Sequence, residues 1–357
     1  MLENLEHVNW QDVHLWNGTA TNTPVLIRQL ASDNAEIRWQ AYLQFYDDYF
    51  EQQSPHAAMD YPLPFLIELL ENKAVQDKQN ILGLLSGLAA RGSNEELIAK
   101  WATHVSKEWI DQIRRQYNAV RQSINVYLAL LDDSSPEVRI AASDILQFMT
   151  SDVSIVVPIM LSRIGIEEDV KVKGLLVTYI RPLLEKDTNS TLEITAKYLE
   201  LCKSLLNPQE SAFVRFTAAA SLAILVETDS PSITDAVLFE ALKNAALYES
   251  MLSESLVRID ALKGLVSSGL DRNISLLTYA IKYSLSESQA FHIGREVLDC
   301  VFDKHDPLQQ ISDIQHSVLT AIVDSENFWR ESKMFHSLAK YGLPSSREQL
   351  RLVLTQK

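Results

Sequence analysis

Apolar residues recur along the chain three or four positions apart, which is the spacing of one face of an α-helix. The pattern is clear in PVLIRQL (24–30), PFLIELLE (64–71) and INVYLALLDD (124–133). We find no convincing run of alternating apolar and polar residues and no convincing Asn-Gly hairpin turn. We therefore predict an all-α protein.

A short motif repeats within this helical pattern. A basic residue starts a helix, a small or apolar residue follows three positions later, and another apolar residue usually follows at seven. Successive basic residues are 40, 61, 32, 44, 43 and 37 positions apart, which apart from the 61 matches a two-helix repeat of roughly 40 residues. Such helix pairs bury their apolar faces by stacking on neighbouring pairs. The basic residues are Arg38, Lys78, Arg139, Lys171, Arg215, Arg258 and Arg295.

The clearest copy of the motif spans residues 133–146, where an acidic turn leads into SPEVRIAASDIL (135–146). Ser135 is placed to cap its helix, and Pro136 to occupy the first helical position, where a missing N–H costs nothing. In the first copy, Asp33 or Asn34 fits the capping role.

The repeated basic residues are expected to tie each turn to the next repeat. A guanidinium at the start of the second helix can hydrogen-bond the acidic turn before it and a carboxylate of the adjacent repeat. The turn partners that the sequence offers are Asp133, Asp33 and Glu168. The alternative is that the row of cations binds an anion.

This motif resembles the turn and second helix of the HEAT-repeat superfamily. The N-terminal half also resembles a bacterial group of HEAT-repeat proteins of uncertain function, in residues 10–42, 61–70 and 117–131. It departs from that group at EQQSPHAAMD (51–60). The resemblance implies a right-handed α-solenoid of about seven HEAT-like helix pairs with a helical C-terminal cap.

On this basis we expect one solenoid over residues 1–357. The long interval in the repeat accommodates an insertion that forms a loop and an extended helix. The expected parts are an N-terminal cap (1–23), repeats 1 and 2 (24–91), the insertion (92–120), repeats 3 to 7 (121–303) and C-terminal capping helices (304–357).

The composition narrows the possible partners. The formal net charge is −15, and an acidic surface repels phosphate backbones, so nucleic acid is not an expected partner. A basic protein is electrostatically favoured, although the charge could equally serve solubility alone. The chain has only 10 glycines, which disfavours doubly wound nucleotide-binding folds.

The cellular setting follows from the cysteines and the hydropathy. Cys202 and Cys300 are far apart in sequence and lie on apolar stripes, where we expect small core residues in a reducing compartment. The N-terminus has no basic segment followed by an apolar run, and the longest apolar stretches are too short for a membrane span. We expect a cytoplasmic monomer that does not bind membranes.

No motif for catalysis or cofactor binding stands out. The eight histidines form no HExxH pattern, and GxSxG and phosphate-binding loops are lacking. We therefore expect no enzyme activity and no cofactor. The alternative is a HEAT-like enzyme of the DNA glycosylase or pigment lyase type. A DNA glycosylase needs a basic groove, and the net charge of −15 argues against one.

The first repeat is the most distinctive part of the sequence. Residues 1–71 contain eleven acidic residues against two arginines, so nine of the fifteen net negative charges lie there. By comparison with other repeats, the aromatic residues expected in the core are Trp39, Tyr42, Phe45 and Tyr46. The residues expected to share one solvent-facing stripe are Gln40, Gln44, Asp47 and Glu51.

This stripe is our first candidate binding site. We expect it to form an acidic groove for a basic protein, together with Asp48 and with Tyr49 as an aromatic anchor at its edge. The alternative is an ordinary solvated acidic helix.

The insertion is the second candidate. Trp101 and Trp109 lie among basic residues and are predicted to contact a partner. The alternative is that Trp109, Ile113 and Tyr117 form one apolar stripe that packs against repeat 2.

Together these patterns predict a non-catalytic protein-binding solenoid. Within that class we expect a protein that sequesters or inhibits a basic partner, as an immunity or antitoxin protein does. The alternative is a scaffold or adaptor in a cytosolic complex, since a fold does not by itself imply a function.

Overall fold

The computed structural model describes residues 2–51, 54–55, 57–185, 192–284, 286–302, 311–330 and 338–355. The described chain is almost entirely helical, which confirms the predicted all-α class. It divides into two compact units, Met1–Ala196 and Lys197–Lys357.

Unit 1 begins with a short 3-10 helix (Leu5–His7) and a small hairpin of β1 (His14–Leu15) and β2 (Gly18–Thr19). A second small pair joins β3 (Phe50–Glu51) to β4 (Ser54–Pro55). Its helices are α1 (Thr23–Leu30), α2 (Ala35–Tyr49), α3 (Leu63–Glu71), α4 (Lys78–Gly92), α5 (Glu95–Trp101), α6 (Lys107–Gln122), α7 (Ile124–Leu130), α8 (Pro136–Leu146), α9 (Val153–Ile166) and α10 (Val170–Glu185).

Unit 2 starts within α11 (Leu192–Leu205), and the part of it that the structure describes continues with further helices. The remaining helices are α12 (Ala212–Val226), α13 (Ser232–Lys243), α14 (Glu254–Ser267), α15 (Leu270–Lys282), α16 (Glu287–Val301), α17 (Asp313–Asp324), α18 (Glu326–Arg330) and α19 (Arg347–Thr355). Among them, α12 packs against α13 and α14, and α15 packs against α17.

The hairpin of β1 and β2 contains Asn17 and Gly18, although we expected no Asn-Gly hairpin turn; Asn17 ends its loop and Gly18 begins β2. His14 pairs with Thr19 and Leu15 with Gly18, which leaves Trp16 and Asn17 as the two-residue loop. Gly18 has a φ of 148°, a backbone conformation that L side chains rarely adopt. The strands are only two residues long, too short to produce an alternating pattern in the sequence.

The predicted helix caps are present. The Ser135 side chain accepts a hydrogen bond from the Val138 amide at 3.3 Å, and Pro136 is the first residue of α8. At the start of α2 the cap is Asn34 rather than Asp33, and it accepts from the Glu36 and Ile37 amides. These caps fix where the second helix of each pair begins.

The small residues of the motif lie in the core, as the pattern predicts. Within unit 1, α4 packs against α8, and α8 packs against α10. Ala142 of α8 is fully buried between its neighbours, and Leu146 one turn further is buried with it. A small side chain at this position lets the helices approach closely, because there is little volume to accommodate.

Arg38 and Arg139 each form the predicted pair of contacts, one to the turn before their own helix and one to a carboxylate further along the chain. Arg139 donates two hydrogen bonds to the buried Glu167 carboxylate, at 2.9 and 3.0 Å. It also donates to the carbonyl of Asp133 at 2.9 Å. Arg38 likewise bonds the Asp77 carboxylate and the carbonyl of Ser32, each at 2.7 Å.

The arginines' turn contacts correct one detail of the prediction. At both positions the turn offers backbone carbonyl oxygens, whereas we expected the side chains of Asp33 and Asp133. Before α10, the carboxylate that receives Arg139 belongs to Glu167, while its neighbour Glu168 is exposed.

Glu167 provides a test of this contact. Burial would raise its pKa, but hydrogen bonds from Arg139 and Arg163 outweigh burial, so the pKa lies below its ordinary value. Its stabilising contribution is therefore present above the ordinary carboxyl pKa and is lost as pH falls through the lowered value. We expect Glu167→Gln to destabilise unit 1 by about 3 kcal/mol at pH 7, because the buried Arg139 loses its counter-charge and the half-buried Arg163 loses one of its two.

Urea unfolding followed by circular dichroism at pH 7 and in acid measures this difference. The matched control is Glu168→Gln, which removes an adjacent but exposed carboxylate. The deficit of the Glu167 variant should shrink in acid. Equal effects of the two variants at pH 7 would contradict the proposed role of the pair.

Candidate functional site

The solvent side of α2 contains the stripe expected from the sequence, in part. Gln40, Gln44 and Asp47 are exposed, as predicted. They lie on one side of the helix, and Gln40 and Asp47 are about 10 Å apart along its axis. Glu36, one turn before Gln40, is exposed on the same side, and its carboxylate accepts a hydrogen bond from the side-chain amide of Gln40.

Asp48 and Glu51 do not extend this stripe. Asp48 is buried and accepts hydrogen bonds from Asn17 at 3.1 Å and from Gln44 at 2.9 Å, so it holds the hairpin loop against α2. Helix α2 ends at Tyr49, and Glu51 lies in β3. The helical spacing that predicted a continuous stripe therefore stops before Glu51, whose side chain lies outside the described part of the structure.

Tyr49 is a core residue, which corrects its assignment as an exposed anchor. Its side chain is fully buried, its hydroxyl is 2.7 Å from that of Thr23, and its ring stacks on Phe45 at 4.5 Å. Burial raises its pKa. Arg38, Ala41, Phe45 and Tyr49 form the buried side of α2, so Tyr49 continues a helical pattern already visible in the sequence.

Trp39 also differs from the prediction, but it is exposed rather than buried. We expected it in the core, but 45% of its surface is exposed, and Leu43 one turn later is also exposed. The equivalent positions in α10 and α12, Val172 and Phe216, are fully buried. Burial at this position depends on a neighbouring helix that covers it, and the helix's own pattern does not reveal that neighbour.

An aromatic ladder runs along the edge of this exposed surface. Trp39 stacks on Tyr42 with ring centroids 5.3 Å apart, Tyr42 contacts Tyr46 at 6.3 Å, and Tyr46 stacks on Phe50 at 5.0 Å. Tyr42 and Tyr46 are half-buried, whereas Phe45 is the predicted core residue that is fully buried. The ladder fixes the orientation of the exposed Trp39 ring.

A second exposed tryptophan, Trp16, was not among the predicted site residues and lies near the C-terminal end of α2. Trp16 is 55% exposed, and its indole N–H donates to the Asp47 carbonyl at 2.9 Å. The Trp16-Asn17-Gly18 stretch is the signal that could have revealed it, because a hairpin loop projects its side chains from the fold. We call the exposed group formed by Glu36, Trp39, Gln40, Leu43, Asp47 and Trp16 the α2 face.

The α2 face is electrostatically negative. Glu36 and Asp47 form no ion pair within the described residues. The nearby cations are engaged elsewhere, since Arg28 pairs with Glu6, and Arg38 is buried against Asp77. The face therefore combines large apolar side chains with uncompensated carboxylates.

The two tryptophans of the insertion pack against other residues of unit 1, which is the alternative to partner binding. Trp101 and Trp109 contact edge to face at 5.3 Å and lie against a small core of Ile98, Ile110 and Ile113. The Arg91 guanidinium lies 4.2 Å from the centre of the Trp109 ring, and burial lowers the pKa of Arg91 to about 10. Both tryptophans are partly buried in intramolecular contacts, so the structure favours a packing role over the predicted partner-binding role.

A polar cluster that the sequence did not indicate joins α4, α8 and α10. Asp144 accepts hydrogen bonds from Ser86 at 2.5 Å and from Gln147 at 2.7 Å, and it interacts with Tyr179. Burial raises the pKa of Asp144. Because its oxygens are already engaged by neighbouring side chains, the cluster is suited to tying three helices together.

Other chemistry is sparse in the described structure. No group of three or more His, Cys, Asp or Glu side chains among the described residues could hold a metal ion. Cys202 is buried and its pKa is raised to about 12 by burial, whereas Cys300 is exposed, contrary to the prediction of a core residue. None of the described helices combines the length and the apolar character needed to cross a membrane.

Comparison with known proteins gives no match, either to a family model or to a curated protein.

Tyr49 allows its core role to be tested. Tyr49→Phe removes the hydroxyl that bonds Thr23 and should lower the free energy of unfolding by about 1 kcal/mol, since a buried hydrogen bond is lost. Tyr46→Phe is the control, because its half-buried hydroxyl has no hydrogen bond within the described residues. Chemical denaturation compares the two. An unchanged stability for Tyr49→Phe would indicate that its hydroxyl lies in solvent.

Proposed function

We propose that this protein is a non-catalytic, HEAT-like right-handed α-solenoid of about seven helix pairs that binds a basic protein partner. The observation that supports this function is the α2 face, where Trp39, Leu43 and Trp16 are exposed beside the carboxylates of Glu36 and Asp47. Exposed tryptophans are unfavourable on a free surface and are typical energetic centres of protein interfaces.

The chemistry of the α2 face suits lysine- and arginine-rich surfaces. The carboxylates would increase the rate of encounter with a basic protein, and salt would screen that effect. The Trp39 and Tyr42 rings offer faces on which a guanidinium or ammonium can stack. The apolar stem of the same partner residue would pack against Leu43. A lysine or arginine side chain would therefore contact both the apolar and the acidic groups of the face.

The role that we propose is sequestration or inhibition of the basic partner in the cytoplasm, by a monomer, as immunity and antitoxin proteins do. The net charge of −15 supports this role, as does the resemblance of the repeat to HEAT proteins. The negative surface also argues against nucleic acid as the partner.

A scaffold function is the second candidate, and an observation in unit 2 favours it. Tyr279 and Tyr283 are both exposed and have ring centroids 4.6 Å apart, and Phe239 contacts Tyr279 edge to face. Lys243 and Lys282 lie over the outer rings of this cluster. Lys243 pairs with Glu240 and Lys282 with Asp324, so this aromatic surface lacks the uncompensated carboxylates of the α2 face and suits a different partner.

Site-specific photo-crosslinking distinguishes the two functions. A photoreactive amino acid replaces Leu43 on the α2 face or Tyr279 on unit 2, in cells that naturally make the protein. The control position is Ile166, an exposed apolar residue at the end of α9. A basic protein crosslinked at position 43 alone would support sequestration, and different proteins at positions 43 and 279 would support a scaffold. Equal crosslinking at all three positions would contradict both.

The crosslinked protein then permits a quantitative test. Trp39→Ala should weaken its binding by at least about tenfold, because a central aromatic contact is removed. Asp47→Lys should slow association and reduce the dependence of the rate on salt. Ile166→Ala should change neither quantity. Titration calorimetry and stopped-flow kinetics measure these effects, and unchanged binding by Trp39→Ala would place the interface elsewhere.

A further inference from the structure

Lys78 differs from Arg38 and Arg139, the two basic residues of the motif that form the predicted contacts. Lys78 is the first residue of α4. In the repeated sequence motif it corresponds to Arg38 of α2 and Arg139 of α8. Those arginines reach both a turn carbonyl and a carboxylate. The Lys78 ammonium forms no hydrogen bond or ion pair within the described residues, although only 5% of the residue is exposed.

A cavity of about 670 Å³ lies beside this lysine, between α3 and α7. Its apolar walls come from both helices and include Leu70, Val126 and Leu130. Exposed residues at its rim, among them Glu71 and Asn125, show that it opens to solvent. The size is within the range of small-molecule sites, which are mostly apolar with a few polar groups.

The replacement of arginine by lysine helps explain why this space is open. A lysine has a single ammonium in place of a planar fork, so it cannot bond a carboxylate at two points and a turn carbonyl together. The interval between Lys78 and Arg139 is also the long one of 61 residues, and it contains α5 and α6. The two copies of the motif beside the cavity are therefore farther apart in the sequence than any other two successive copies.

Two of the three carboxylates that line the cavity have contacts with other residues, and the third, Glu71, is exposed at its rim. Asp132 pairs with Arg163 at 3.2 Å, and Asp133 accepts the Ser135 amide at 2.9 Å. Burial lowers the pKa of Lys78, and the attraction of Asp133 offsets this only in part. The interior thus presents one cation with no bonded counter-charge against apolar walls, an arrangement that an anionic ligand would stabilise.

We propose that this cavity binds a small amphipathic monocarboxylate, such as a medium-chain unbranched carboxylic acid. Its carboxylate accepts a hydrogen bond from the Lys78 ammonium, and its hydrocarbon chain packs against Leu70, Val126 and Leu130. A singly charged group fits better than a phosphate, because one buried cation is present and Glu71 and Asp132 at the rim repel additional negative charge. The site involves α3, α4 and α7, so it is independent of partner binding on the α2 face.

Titration calorimetry with octanoate tests the site. We expect saturable binding with a dissociation constant below about 1 mM. Shorter carboxylates should bind about fourfold more weakly for each methylene group removed, as the transfer energy of a buried methylene predicts. Absence of saturable octanoate binding, or equal affinity for octanoate and butyrate, would overturn the proposal.

Two variants separate the buried lysine from an exposed one. Lys78→Met keeps the length and removes the charge, and it should weaken octanoate binding by at least about tenfold, because a charge-assisted hydrogen bond is lost. The matched control is Lys73→Met, which removes an exposed lysine at the rim of the same cavity. It should change the affinity by less than about twofold. Equal losses in both variants would overturn the assignment to Lys78.

A measurement on the unmodified protein remains decisive if Lys78→Met does not fold. The lysine side-chain resonances of ¹³C-labelled protein are followed by NMR as octanoate is added. We expect one lysine resonance to shift with the same saturation as the calorimetric binding and to titrate at higher pH in the complex, because the ligand stabilises the ammonium. Octanol in place of octanoate should leave its titration unchanged. A carboxylate with no effect on any buried lysine resonance would overturn the proposal.

Discussion

The packing of unit 1 depends on a guanidinium buried between consecutive helix pairs. Arg139 joins two groups that are separate in the sequence, a turn carbonyl before its own helix and the Glu167 carboxylate before α10. Burial of either ion alone would be very costly, so each requires the other. The pair thereby fixes the distance between α8 and α10, while the small Ala142 allows the close approach that the pair requires.

One of the two surfaces on which we base functional proposals lies where this arrangement is absent, and the other lies on α2, where Arg38 keeps it. Where Lys78 replaces an arginine, a cavity with an unbonded cation remains between α3 and α7. Where α2 has no helix covering Trp39, an aromatic ladder reaches the surface beside exposed carboxylates. In both places a side chain that the sequence motif assigns to a packing role lacks the expected packing partner.

The prediction from sequence was most accurate for properties that depend on neighbours along the chain. The helical class, the Ser135 cap and the buried Ala142 were all predicted, because each follows from spacing within one turn or one helix. The candidate site was predicted only in part. Gln40 and Asp47 are exposed as expected. Tyr49, expected as an exposed anchor, is buried, and Trp39, which comparison of the motif copies placed in the core, is exposed.

Residue order alone was enough to predict the helical class, the capped start of α8, and a set of basic residues of which Arg38 and Arg139 form the expected contacts. These properties follow from the 3.6-residue period, from capping side chains and from charge, all of which are local. Packing in three dimensions was needed to establish that Trp39 is uncovered, that the hairpin places Trp16 beside Asp47, and that Lys78 lies next to a cavity. Those outcomes depend on which helices and loops are adjacent in space, because the exposure of a side chain is determined by what packs against it.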